Sequence, residues 1–101
     1  MNKFHAQRAE VDGITFDSKK EAARYGELKL LLKAGEITDL ELQVTYPMIV
    51  NKQKVCSYRT DFRYTEKGKQ IVEDVKGIRT SLYGLKKKLL KACYGIEISE
   101  V

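Results

Sequence analysis

The sequence predicts an α/β architecture of the α+β kind. A central mixed sheet of about four or five strands is flanked by helices, in the order α-β-β-β-α-β. Three observations predict it. Residues 18–34 and 81–94 carry apolar residues at helical spacing between recognisable caps. Residues 37–64 and 70–76 alternate with period two and are punctuated by polar turns. The chain has 101 residues, of which 43 % are apolar. That is the size of one domain with one modest core, so residues 1–101 read as a single domain rather than a disordered chain.

The first ten residues are polar and basic, with Lys3, His5 and Arg8, and predict a flexible basic arm. Asp12-Gly13 between Val11 and Ile14 predicts a short hairpin or extended segment. Ser18 is a good N-cap, and Ser18-Lys19-Lys20-Glu21 spells a capping box; Gly35 suits the residue just past the helix end. Tyr25, Leu28, Leu31 and Leu32 form the apolar stripe of this helix. At about 100° per residue Glu21 falls inside that stripe, with Arg24 at its edge. A carboxylate on the core side requires a partner.

Strand material follows at 37–44 and 46–50, then a polar turn at 51–54. Val55 to Tyr64 reads as one strand, with Tyr58, Thr60, Phe62 and Tyr64 on one face and Arg59, Asp61 and Arg63 on the other. Glu66-Lys67-Gly68-Lys69 closes a hairpin onto a strand at 70–76, which Gly77 ends. The second helix buries Leu82, Leu85, Leu89 and Ala92 and is capped by Gly95; Ile96 to Ser99 alternates as a last strand.

Composition narrows the function classes. Two cysteines and one histidine exclude a disulfide scaffold and a four-cysteine zinc site, and speak against histidine-based catalysis. Cys56 and Cys93 read as small core thiols. No apolar run approaches a membrane span, and the leading MNKFHAQRAE lacks the apolar region of a secretion signal, so a cytoplasmic chain is expected. The net charge of +5 favours a polyanionic partner, nucleic acid first.

Period two places Asp74 and Lys76 on one face. If their strand pairs with the one before it, Asp61 joins them, and Glu21 at the start of the first helix can supply a third carboxylate. Converging carboxylates repel unless a cation or proton intervenes. Oxygen-only ligands favour a hard ion, Mg²⁺ or Mn²⁺. An adjacent lysine suits phosphodiester hydrolysis, where it can hold the attacking water and offset charge developing on phosphorus.

Asp61 followed by Asp74-Val75-Lys76, with Glu21 on a preceding helix, resembles the signature of the PD-(D/E)XK nuclease superfamily. The likeness extends through Phe16 to Glu21, Ile37 to Gln43, Tyr58 to Phe62 and Ile71 to Gly77. Over these segments the chain is similar to small phage-encoded proteins of that superfamily, which shares its element order with Holliday-junction resolvases. One departure is Thr60, where the superfamily often has proline.

The resemblance implies a restriction-endonuclease-like core and Mg²⁺-dependent cleavage of DNA in a bacterial host cytoplasm. It makes Asp61, Asp74 and Glu21 metal ligands and Lys76 the catalytic lysine, and it places Gln43 near the active site. A branched substrate such as a four-way junction implies two symmetric cuts and therefore a homodimer, with phage or host replication and recombination proteins as further partners.

Plainer roles compete. Glu21 is also the third residue of its capping box. Asp61 could pair with Arg59 or Arg63, and Glu73, facing away from Asp74, could be an alternative or supporting ligand. Lys54, Arg59, Arg63, Lys86 and Lys87 are candidates for tracking a phosphate backbone or are simply a solvated face, and Tyr83 either stacks on a base or packs. The alternative function is a DNA- or partner-binding module that keeps the fold without catalysis.

Overall fold

The structure is a computed structural model and describes residues 7–75 and 80–101. The chain begins with a short hairpin, β1 (Ala9–Val11) and β2 (Ile14–Phe16). Helix α1 (Lys19–Lys33) leads into β3 (Thr38–Leu42), β4 (Thr45–Val50), β5 (Gln53–Arg59), β6 (Phe62–Glu66) and β7 (Lys69–Asp74). Helix α2 (Ser81–Tyr94) and strand β8 (Ile98–Glu100) complete it. The central sheet is four-stranded in the order β3-β6-β7-β8. It is mixed: β3-β6 and β6-β7 are antiparallel, and β8 returns through α2 to lie parallel to β7.

The expected class therefore holds, while the element order gains strands. Ala9 and Glu10 belong to β1, so the expected arm is shorter than ten residues; residues 1–6, His5 among them, lie outside the described residues. The single strand expected over 55–64 is two strands in different sheets, β5 and β6. Pairing nevertheless runs on through the break. Leu42 faces Phe62 and Thr45 faces Arg59. Between them the Gln43 N–H donates to the Asp61 carbonyl at 2.9 Å and the Thr60 N–H to the Val44 carbonyl at 2.8 Å. The ribbon is thus one long antiparallel hairpin kinked at Gln43, whose φ is 53°. Side-chain parity survives the kink, and Tyr58, Thr60, Phe62 and Tyr64 are all buried as expected.

The two helices cover opposite faces of β7. On one face Phe16, Ala22, Tyr25, Leu28, Ile37, Phe62 and Tyr64 form a core under α1. On the other, Tyr46, Met48, Tyr58, Val72, Leu90 and Ile98 form a second core under α2. Helix α1 starts as its sequence dictates: the Ser18 Oγ accepts from the Glu21 N–H at 3.1 Å. It ends in a Schellman motif, with Gly35 at φ 80°, Gly35 N–H on the Leu32 carbonyl and Glu36 N–H on the Leu31 carbonyl.

Four apolar assignments are corrected. Leu32 is exposed on α1, where Leu31 packs instead. On α2, Leu82 and Leu85 are 59 % and 55 % exposed and Ala92 is exposed, because the helix turns Tyr83 and Leu90 inward to meet Tyr58 and Val72. Cys93 is also exposed, with its thiol beside the Ile49 carbonyl. No helix among the described residues is long and apolar enough to cross a membrane.

Candidate active site

The kink between β5 and β6 builds the site. Asp61 lies in the break rather than mid-strand as expected. Its N–H donates to the Asp74 carboxylate (Oδ1) at 2.8 Å. The Asp61 carboxylate returns the arrangement: its Oδ2 accepts from the Val75 N–H at 2.8 Å, where β7 ends. Phe62 faces Glu73 in the register, so Asp61 and Asp74 are the next opposed pair. Each carboxylate is thus tied to the other strand's backbone. Backbone N–H dipoles offset part of the repulsion that two adjacent carboxylates would otherwise feel. The other Asp74 oxygen accepts from the Tyr58 hydroxyl, and β8 seals the strand from the far side, with Val101 N–H on the Asp74 carbonyl at 3.0 Å.

Glu21 completes the group. It is 5 % exposed at the start of α1, within the core-side stripe as expected. Burial first, then the negative charges of Asp61 and Asp17, push its carboxyl up to about 7; Arg59 acts in the opposite sense, and Asp74 adds a smaller push upward. Its backbone serves the helix cap, but among the described residues its carboxylate does not close the capping box on the Ser18 N–H. The capping role is thus fulfilled by the N–H alone, and the side chain is turned to other carboxylates.

The neighbouring carboxylate has a different fate. Glu73 is 1 % exposed on the α1 face. Arg24 binds it through Nε at 2.7 Å and a terminal nitrogen at 2.9 Å, and the Tyr64 hydroxyl donates at 2.7 Å. This bidentate pair holds the Arg24 guanidinium firmly charged, and burial with the same carboxylate pushes the Tyr64 hydroxyl up to about 12. Glu73 is thus held by Arg24 and Tyr64 on the face away from Asp74.

The remaining expected residues divide. Gln43 reaches the site through its backbone, which holds the Asp61 carbonyl. Lys76 lies outside the described residues. Neither arginine expected as a partner for Asp61 takes that role: Arg59 pairs with Asp17 at 3.2 Å and Arg63 with Glu41 at 2.5 Å. Arg63 also donates to the Tyr46 hydroxyl at 2.9 Å, so it braces the sheet rather than facing a phosphate. Lys54 is exposed near the start of β5, at the turn of the hairpin. Lys87 reaches Glu100 at 3.5 Å. Tyr83 packs: its ring lies 6.1 Å from that of Tyr58, and its hydroxyl donates to Glu100 at 2.5 Å.

Sequence reasoning missed Tyr58 as a partner of Asp74 and Arg24 as a partner of Glu73. Arg24 was legible as a cation at the edge of the stripe that carries Glu21. No local signal marks Tyr58, because its contact with Asp74 depends on the kink.

Among the described residues, no group of three or more histidine, cysteine, aspartate or glutamate side chains is disposed to hold a metal ion. A cation at Glu21, Asp61 and Asp74 would complete its shell with water or substrate oxygens, as Mg²⁺ commonly does. The three carboxylates offer oxygen donors only, the chemistry that suits a hard ion; Glu21 is raised first by its burial and then by the charges of Asp61 and Asp17.

A family model described as "Protein of unknown function (DUF1064)" matches residues 1–99. No curated protein and no solved structure matches the chain.

Proposed function

The chain belongs to the DUF1064 family, and we propose that it is a Mg²⁺-dependent DNA endonuclease, with Mn²⁺ able to substitute. The observation that supports this most is the reciprocal tie between Asp61 and Asp74, with Glu21 raised first by its burial and then by nearby carboxylate charge, that of Asp61 foremost. Fixed, repelling oxygen ligands at one point are what a hard cation needs and what a purely structural site avoids.

In this reading Asp61, Asp74 and Glu21 hold the ion. When bound, it supplies Lewis-acid polarisation of the phosphoryl oxygen and a water acidic enough to attack. The protein does the rest. The Val75 and Asp61 N–H groups keep the two aspartates in register, so little reorganisation is needed as charge develops. Tyr58 orients Asp74 by donating to it. Lys76, two residues beyond Asp74, takes the role of the catalytic lysine on the strength of the superfamily resemblance. Gln43 sets the backbone of Asp61. Lys54, Arg59, Lys86 and Lys87 are the cations that would follow the phosphate backbone.

The proposed substrate is branched DNA such as a four-way junction, which a homodimer would cut symmetrically in the host cytoplasm. The test is cleavage of linear duplex, single-stranded and four-way-junction DNA with Mg²⁺, Mn²⁺ or EDTA, with Asp74→Asn beside the wild type. Metal-dependent cutting that Asp74→Asn abolishes is the expected result. Tight DNA binding without cutting by either protein would establish the non-catalytic module instead.

A further inference from the structure

An open cleft of about 230 Å³ adjoins the carboxylates, lined by Tyr58, Arg59, Thr80, Leu82, Tyr83 and Lys86. Two of these residues belong to both places. The Tyr58 hydroxyl donates to Asp74, and the charge of Arg59 acts on Glu21. The cleft and the proposed cutting site thus share Tyr58 and Arg59.

Its chemistry is mixed in a particular way. Among the described residues no carboxylate lines it, while Arg59, which also pairs with Asp17 at 3.2 Å, and Lys86 supply two cations. Both tyrosine hydroxyls already donate to carboxylates, Tyr58 to Asp74 and Tyr83 to Glu100, so the tyrosines offer the cleft their rings. Leu82 adds an apolar side chain that is 59 % exposed. A cavity of roughly 150 Å³ admits a benzene ring, so this one has room for a planar base.

An apolar and aromatic wall beside two cations matches one nucleotide with its base unstacked. A duplex hides its base faces and would use only the cations. An unpaired base can lie against aromatic rings, which reward any base. We propose that this cleft binds one unpaired nucleotide of the strand being cut, with its phosphate at Arg59 and Lys86 and its base against Tyr83 and Leu82. The enzyme would then select DNA with an unpaired nucleotide next to the scissile bond. This rests on the nuclease reading for which strand enters, but the cleft can be tested apart from it.

The test measures binding of labelled single-stranded and duplex DNA of the same sequence to Asp74→Asn protein in EDTA, so that cutting does not intervene. The single strand is also measured with one abasic position placed in turn along it. The expected result is a single-strand preference of about tenfold, the size of one stacked base. Leu82→Ser, on the surface of α2, should bring that preference close to one, while Lys86→Ala should weaken both DNA forms and leave the preference in place. Lys86→Ala should also lower the salt dependence by about one phosphate contact. One abasic position should reproduce the loss in the parent and add nothing to Leu82→Ser. Equal losses on both DNA forms from Leu82→Ser, or none, would overturn the proposal. If the parent shows cleft-dependent single-strand preference while wild type cuts no DNA with Mg²⁺ or Mn²⁺, the nuclease reading fails and the cleft stands. If wild type cuts with dependence on Asp74 while Leu82→Ser keeps the full preference, the cleft proposal fails and the nuclease stands.

Discussion

Glu73 and Asp74 are neighbours on β7, equally buried at 1 % exposure, and chemically opposite. The Glu73 face closes its charge: Arg24 grips both carboxylate oxygens and Tyr64 adds a third bond. The Asp74 face gathers more negative charge, with Asp61 tied alongside and Glu21 across from it. Burial alone thus does not distinguish a structural carboxylate from a functional one. What distinguishes the two faces among the described residues is the partner set: a bidentate arginine and a tyrosine for Glu73, and for Asp74 a backbone N–H, a tyrosine and a neighbouring aspartate.

The largest expected effect breaks the closed side. Glu73→Gln leaves Arg24 facing a neutral amide in a buried setting, and should cost about 3 kcal/mol in denaturant unfolding, the low end for a broken buried pair because Arg24 is partly exposed. Asp74→Asn relieves repulsion while keeping an acceptor for the Asp61 N–H, and should change stability by less than about 1 kcal/mol. Equal losses from the two substitutions would erase the contrast.

A smaller effect comes from pH. The Glu21 carboxyl sits at about 7 in the folded chain against 4.5 for the ordinary group. Between those values the folded state holds the proton that the unfolded state has released, so stability falls as pH rises from 4.5 through 7. The loss should reach roughly 2–3 kcal/mol above that window, and Glu21→Gln should flatten it. Ser18→Ala should cost about 1 kcal/mol at every pH and keep the slope, because it removes the cap and not the charge. Unfolding midpoints at pH 4, 5.5, 7 and 8 separate the two.

Much of this contrast was legible in the sequence. Period two puts Glu73 and Asp74 on opposite faces, and helical spacing puts Glu21 on the core side, because both follow from local backbone geometry. Both helices were legible through their caps, Ser18 with Gly35 and a closing Gly95. The kink was not: alternation from Val55 to Tyr64 is unbroken, and only the positive φ of Gln43, a residue with no turn signature, bends the ribbon. Asp61's place in the break and Tyr58's contact with Asp74 follow from that bend, so neither could be read locally. The rotation of α2 was hidden for another reason. Its leucines fill two faces, and tertiary packing against Tyr58 and Val72 chose the one with Leu90.

The most direct test of the central claim is a calorimetric titration of Mn²⁺ at pH 7, in two buffers of different ionisation enthalpy, into wild type and Asp74→Asn. Wild type should take up the ion and release about half a proton, since Glu21 is about half protonated at that pH and must ionise to bind. Asp74→Asn should show neither heat nor proton release. Uptake that is equal in both proteins, or absent from both, would contradict the account.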